Sequence, residues 1–169
     1  MNYDNYLKYY EINPSALEKR LKTSLLIEDV SIKKSLFSLK ISLTEYKILW
    51  YQEYDNNIML SSGKSIYCED DILGIPTLIN EIADDYKQSF VQKLSQVKCD
   101  VLRKISEIVY SPTEVDAERF LLHMNDQNDV YINLSRMENL NKYNDLLPEL
   151  ENHKGILYLD SGNHFEIKD

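Results

Sequence analysis

Apolar residues along the chain change period several times, and each change marks a candidate element. Asn13 followed by Pro14 supplies a side-chain cap and a proline at the first helical position, and Leu17, Leu21 and Leu25 then recur at four-residue spacing; this predicts a short amphipathic helix. From Ile27 the period falls to two. Val30 and Ile32, then Leu39, Ile41 and Leu43 with Lys40, Ser42 and Thr44 between them, follow the pattern of half-buried strands. Residues 48–51 and 58–60 are expected to extend that sheet, and Ser61-Ser62-Gly63-Lys64 to turn the chain into Ser65-Ile66-Tyr67. The first ten residues, with Tyr3, Tyr6, Tyr9 and Tyr10, show no period and read as irregular.

A turn signal coincides with a change of pattern at Gly74-Ile75-Pro76-Thr77, which sets an expected domain boundary near residues 70–77 and two domains, 1–73 and 74–169. The second domain opens on a helix with Asp84 and Asp85 where the helix dipole favours acids and Tyr86, Phe90, Leu94 and Val97 on one face. Apolar runs at 105–110, 120–124 and 130–134 read as strands, the last two joined by the polar turn Asn125-Asp126-Gln127-Asn128-Asp129. A second helix is expected over 136–147, with Met137, Leu140, Tyr143 and Leu147 inward, and a terminal strand pair at 156–159 and 164–167 around Asp160-Ser161-Gly162-Asn163. The fold class is α+β, the second domain being an antiparallel sheet with two helices.

At 169 residues and 43% hydrophobic, the chain has enough apolar material for a real core in one or two domains. Its net charge of -9 argues against a nucleic-acid partner, because phosphate binding needs clustered Lys and Arg. Cys68 and Cys99 have neither a metal-like nor a C-x-x-C spacing, so free thiols are expected. No run of about 18 apolar residues occurs and no signal peptide opens the chain as written.

Catalytic chemistry finds no foothold. His123, His153 and His164 stand outside any nucleophile motif, and no G-x-S-x-G elbow exists. The acid pairs Glu114/Asp116 and Asp84/Asp85 read as capping and solvated groups. His153, Asp160 and His164 match no metal-ligand spacing, and four scattered glycines cannot cradle a phosphate. No enzyme activity, cofactor or metal is expected. The terminal strand pair is the feature with binding potential. A terminal strand often lies at a sheet edge with unpaired amides, and Leu157, Leu159, Phe165 and Ile167 form an apolar ladder there to which a partner strand could add.

Two stretches, read in order, resemble the FtsQ/DivIB family of cell-division proteins. From Leu17 to Gly63 the chain resembles the later half of a POTRA domain: a helix ends, a strand of the I-x-x-V-x-I-x-K kind follows at Ile27, Val30, Ile32 and Lys34, a second strand closes on Glu45, and a segment ends at Tyr51. L-S-S-G-K at 60–64 stands where the family has a Gly-containing loop, and G-I-P-T-L at 74–78 is similar to the family's inter-domain joint. The second stretch, 105–165, is more specific: ISEIVYSP, FLLHMNDQNDVYINL, NKYNDLLPEL and KGILYLDSGNHF follow the order of the family's C-terminal β domain.

The resemblance implies a non-catalytic scaffold, anchored by a single membrane span, whose extracytoplasmic part binds FtsB/DivIC-like and FtsL-like division proteins at the septum and helps control septal peptidoglycan synthesis. The family's cytoplasmic tail, membrane span and first POTRA strand and helix are not matched before residue 10, so the expectation is a chain that starts late or a divergent member. Leu159, Ser161, Gly162 and Phe165 occupy positions that resemble the family's partner-binding end, so the expected partner site is Leu157, Leu159, Ser161, Gly162, Phe165 and Ile167. A toxin-immunity protein, equally small, acidic and non-catalytic, is the alternative.

Overall fold

The computed structural model describes residues 11–69, 74–150 and 153–168. The irregular reading of the first ten residues lies outside that range. The chain forms two compact units, Met1–Tyr46 and Lys47–Asp169.

In the first unit, helix α1 (Pro14–Leu21) starts where Asn13 Oδ1 accepts the backbone N–H groups of Ser15 and Ala16 at 3.1 and 3.3 Å, as the Asn-Pro pair predicts. The helix stops at Leu21, so Leu25, expected on its inner face, falls beyond it and is exposed. Strands β1 (Ile27–Lys34) and β2 (Leu39–Glu45) pair antiparallel with Val30 opposite Leu43 and Ile32 opposite Ile41. After an irregularity between Ile27 and Asp29, the period of two holds one register from Asp29 to Lys34, with Val30 buried.

The second unit is built on one sheet of nine strands. Its members are β3 (Ile48–Gln52), β4 (Asn57–Leu60), β5 (Ser65–Tyr67), β6 (Thr77–Leu78), β7 (Ile105–Tyr110), β8 (Arg119–Met124), β9 (Asp129–Asn133), β10 (Gly155–Tyr158) and β11 (His164–Ile167). Their spatial order is β11-β10-β9-β8-β7-β6-β3-β4-β5. Three pairings are parallel, β3 with β6, β6 with β7 and β9 with β10, so the sheet is mixed where the sequence suggested an antiparallel one.

Two expectations are corrected by this topology. β3 and β4 do not extend the β1–β2 sheet, and the chain divides at residues 46/47 rather than near 70–77. The reason is that β3 is wedded to β6: Tyr51 lies opposite Thr77, and the Tyr51 N–H donates to the Pro76 carbonyl at 2.9 Å. Gly74, at φ +80°, marks a reversal inside the unit. A glycine-proline turn reports where the backbone bends and carries no information about where contacts cease.

Helix α2 (Asp84–Ser95) buries Phe90, Val91 and Leu94. Phe90 stacks on Phe120 with ring centroids 4.1 Å apart and meets Trp50 at 5.5 Å, which joins helix to sheet. After α3 (Cys99–Leu102) and the meander β7-β8-β9, the chain crosses to β10 through residues 134–150. This crossover is mostly a 3-10 helix (Leu134–Lys142), then one turn of α-helix, α4 (Tyr143–Leu146), and a further 3-10 turn (Leu147–Leu150). The sequence pattern suggested one α-helix over 136–147. Leu134, Met137, Leu140 and Tyr143 are the buried positions, and an unbroken three-residue spacing keeps one face only in a helix of three residues per turn.

Candidate partner-binding edge

Alternation decides which backbone groups of the terminal strands are spent. Leu159 N–H donates to the Tyr131 carbonyl of β9 at 2.8 Å, so the odd residues of β10 turn their amides to β9 and the even ones to β11. On β11 the even residues return those bonds, and Lys168 N–H continues the series to the Lys154 carbonyl at 2.9 Å. The amides and carbonyls of Phe165 and Ile167 therefore face away from β10. Among the described residues β11 is the terminal strand of the sheet, so these groups lie on an open edge.

The six residues expected to form the partner site separate into three environments. Leu157 and Leu159 are 4% and 1% exposed and belong to the core; neither can touch a partner while the sheet is folded. Phe165 is half-buried against that core, and Ile167 is 54% exposed. Ser161 and Gly162 lie exposed in the turn between the strands, where Gly162 has φ +149° and Asn163 φ +58°. The ladder is real as an alternation, but its β10 half supports the edge from below.

Why β11 can dock closely is visible at Gly155, which sits opposite Ile167. Any Cβ there would run into the Glu166 carbonyl oxygen and lie 2.7 Å from Phe165 Cζ. The Gly155 N–H is fixed from the other side by Asn128 Oδ1 at 3.0 Å. Asn128 is itself buried, and its side-chain amide reaches Asp126 Oδ1 and the Tyr143 hydroxyl, both at 3.2 Å. Tyr143 donates onward to Asp126 at 2.9 Å, and burial pushes its hydroxyl well above the usual phenol range. The β8–β9 turn, the crossover helix and the start of β10 are thus held by one polar cluster, of which the sequence showed only a turn.

On the sheet face opposite α2, flat groups stack across four strands. The Arg119 guanidinium lies 3.7 Å over the Tyr131 ring, Tyr131 stacks on Tyr158 at 5.4 Å, and Tyr158 on His164 at 4.4 Å. Arg119 Nε also donates to Asp160 Oδ2 at 2.7 Å, and the Tyr158 hydroxyl donates to Glu166 at 3.0 Å, a bond that raises the pKa of that phenol. Beside this row, Asp129 holds His123 Nδ1 at 2.7 Å and Lys168 Nζ at 2.6 Å. Partial burial works against ionisation of Asp129, but the bonds from Lys168 and His123 outweigh it and hold its pKa below 3.8. The sequence reading puts Tyr131 and Tyr158 on strands without a role and leaves Arg119 one residue outside its strand at 120–124; β8 starts at Arg119, and alternation along β8, β9 and β10 gathers the three on one face.

The histidines do not meet as a catalytic set: His123 pairs with Asp129, His164 lies in the aromatic stack, and His153 is exposed ahead of β10. Cys99 is an exposed thiol, and Cys68 is half-buried. No helix among the described residues is long and apolar enough to cross a membrane.

No protein-family model matches the chain. It is 29% identical to the cell division protein DivIB of Listeria monocytogenes over 165 residues, covering 92% of this chain and 60% of that protein. To DivIB of Bacillus subtilis it is 27% identical over 166 residues, 94% of this chain and 63% of that one. The chain is related to DivIB. It spans about three-fifths of the length of these curated relatives. A solved structure of the major extracytoplasmic domain of DivIB from Geobacillus stearothermophilus superposes with a TM-score of 0.52 at 22% identity, covering 64% of this chain and 96% of that one. That likeness establishes a shared α+β fold with the DivIB domain.

Proposed function

We propose that this chain is the extracytoplasmic part of a division scaffold that performs no reaction and binds FtsB/DivIC-like and FtsL-like proteins by strand addition at β11, so helping to control septal peptidoglycan synthesis. In the cell it works at the septum, held to the cytoplasmic membrane by a single span. The observation that supports this most is the open edge of β11, with the backbone groups of Phe165 and Ile167 turned outward in a relative of DivIB. The relatives, which carry cell-division names, favour this reading over a toxin-immunity protein.

In this reading a partner strand takes its backbone bonds from Phe165 and Ile167, Ile167 and the rim of Phe165 supply the apolar contact, and Ser161 and Gly162 flank it. The 1–46 unit takes the place of the POTRA remainder. The test is calorimetric titration with the extracytoplasmic segment of a DivIC-like partner. Ile167→Pro removes the outward N–H donor at an exposed position and should cost about 2 kcal/mol or more of binding, as loss of a central anchor does. Tyr67→Pro, on the terminal strand β5 at the other end of the sheet, should leave affinity unchanged. Equal affinity of Ile167→Pro and wild type, with unchanged melting, would move the site elsewhere.

A further inference from the structure

The β1–β2 hairpin is polarised along its length. Glu28, Asp29 and Glu45 lie at its open end, whereas residues 33–40, KKSLFSLK, hold three lysines and no acid in a chain of net charge -9. The closed end is a tight turn: Ser35 N–H donates to the Ser38 carbonyl at 2.8 Å, and the two hydroxyls meet at 2.7 Å. Its two central residues are Leu36 and Phe37, 82% and 94% exposed. Tight hairpin turns draw on Gly, Asn and Asp for backbone reasons. Neither Leu36 nor Phe37 has a positive φ, so the turn geometry explains neither side chain.

Single exposed apolar residues such as Val115 are ordinary. An adjacent Leu-Phe pair at the outermost point of a hairpin, behind a collar of lysines, is not. Lys33 and Lys40 also sit directly opposite each other in the register, where like charges weaken strand pairing. Lys34 Nζ donates to the Ile12 carbonyl at 2.9 Å, which keeps a third positive charge at the same end. Binding to an anionic bilayer grows with the apolar area inserted and with electrostatic attraction to the headgroups, and this tip offers both.

We propose that this hairpin tip is a membrane-contact site that seats Leu36 and Phe37 among the acyl chains of an anionic bilayer while Lys33 and Lys40 meet the lipid headgroups. The lysine collar is complementary in charge to anionic headgroups, and the two apolar side chains between the lysines match the acyl region just beneath them, which selects the bilayer as occupant. Each lysine near such a surface contributes about five-fold to affinity, the equivalent of about 1 kcal/mol. It uses none of the residues of the β11 edge and does not depend on strand addition there.

Co-sedimentation of the whole chain with vesicles tests it. Vesicles rich in phosphatidylglycerol should bring the protein down, with affinity falling in high salt, and phosphatidylcholine vesicles should bind it at least about ten-fold less. Leu36→Ser with Phe37→Ser should lose about ten-fold or more, as should Lys33→Gln with Lys40→Gln, each pair keeping the wild-type circular dichroism spectrum. Phe37→Trp should show a blue shift of emission on adding anionic vesicles. The proposal is overturned if the wild type binds no vesicle, if the serine pair binds equally well, or if the Phe37→Trp emission does not move. Self-association removed by the serine pair, without vesicle binding, would likewise overturn it and make the tip a contact between copies.

Discussion

Replacing Gly155 by alanine adds one methyl group, at the place where β11 rests on β10. The new Cβ would collide with the Glu166 carbonyl oxygen and stand 2.7 Å from Phe165 Cζ and 2.9 Å from the Glu166 carbonyl carbon. The phenyl ring can turn, but the backbone oxygen cannot swing aside. Gly155 cannot retreat either, because its N–H is held by Asn128 Oδ1 at 3.0 Å. The strand β11 must therefore lift, and Phe165 leaves part of its contact with the core. Overpacking costs about 1–3 kcal/mol, and losing half of a phenylalanine's burial adds about 1 kcal/mol. A total of about 2–4 kcal/mol follows, or a fall in Tm of roughly 4–16 °C for a chain of this size. Thermal unfolding by circular dichroism reads the first quantity; faster hydrogen exchange at the His164 and Glu166 amides reads the second. An alanine variant with wild-type Tm and wild-type protection at those amides would refute the close docking of β11.

Asn128→Ala should cost about 2–3 kcal/mol, because it strands the buried Gly155 N–H and takes a partner from Tyr143; a lower urea midpoint at unchanged slope is the check. Asp129 has a folded-state pKa below its ordinary 3.8, so its contribution to stability is present above that value and is lost as pH falls through the depressed one. Stability measured below about pH 4 should accordingly fall less steeply in Asp129→Asn than in the wild type. Phe165→Lys should both lower Tm and abolish partner binding, since this ring packs on the core as well as flanking the edge; a variant that loses binding with an unchanged Tm would show that the ring serves the partner alone.

Elements whose burial is decided by their own neighbours were legible. The Asn13-Pro14 start of α1, the β1–β2 alternation, the β4–β5 turn at Gly63 and the β8–β9 hairpin all follow from capping, period and turn chemistry within a few residues. What the sequence did not reveal depends on pairs far apart. The parallel pairing of Tyr51 with Thr77 and of Leu157 with Val130 leaves no local mark, so the local signal points to the turn at 74–77, whereas the chain divides at residues 46/47. For the candidate site, alternation correctly joined Leu157, Leu159, Phe165 and Ile167 on one face. It could not say that β10 is an interior strand, which places the two leucines in the core and leaves only β11 on the edge. The 3-10 crossover was written in the three-residue spacing of Met137, Leu140 and Tyr143, although Leu147 at four residues made an α-helix the nearer pattern.

Hydrogen exchange resolved to single amides, with and without the extracytoplasmic segment of a DivIC-like partner, tests the strand-addition proposal most directly. The amides of Phe165 and Ile167, which face the open edge, should gain protection on binding, while those of Ser65 and Tyr67 on the opposite edge strand should not change. Saturating binding that leaves Phe165 and Ile167 as exchangeable as before, or that protects Ser65 and Tyr67 instead, would contradict it.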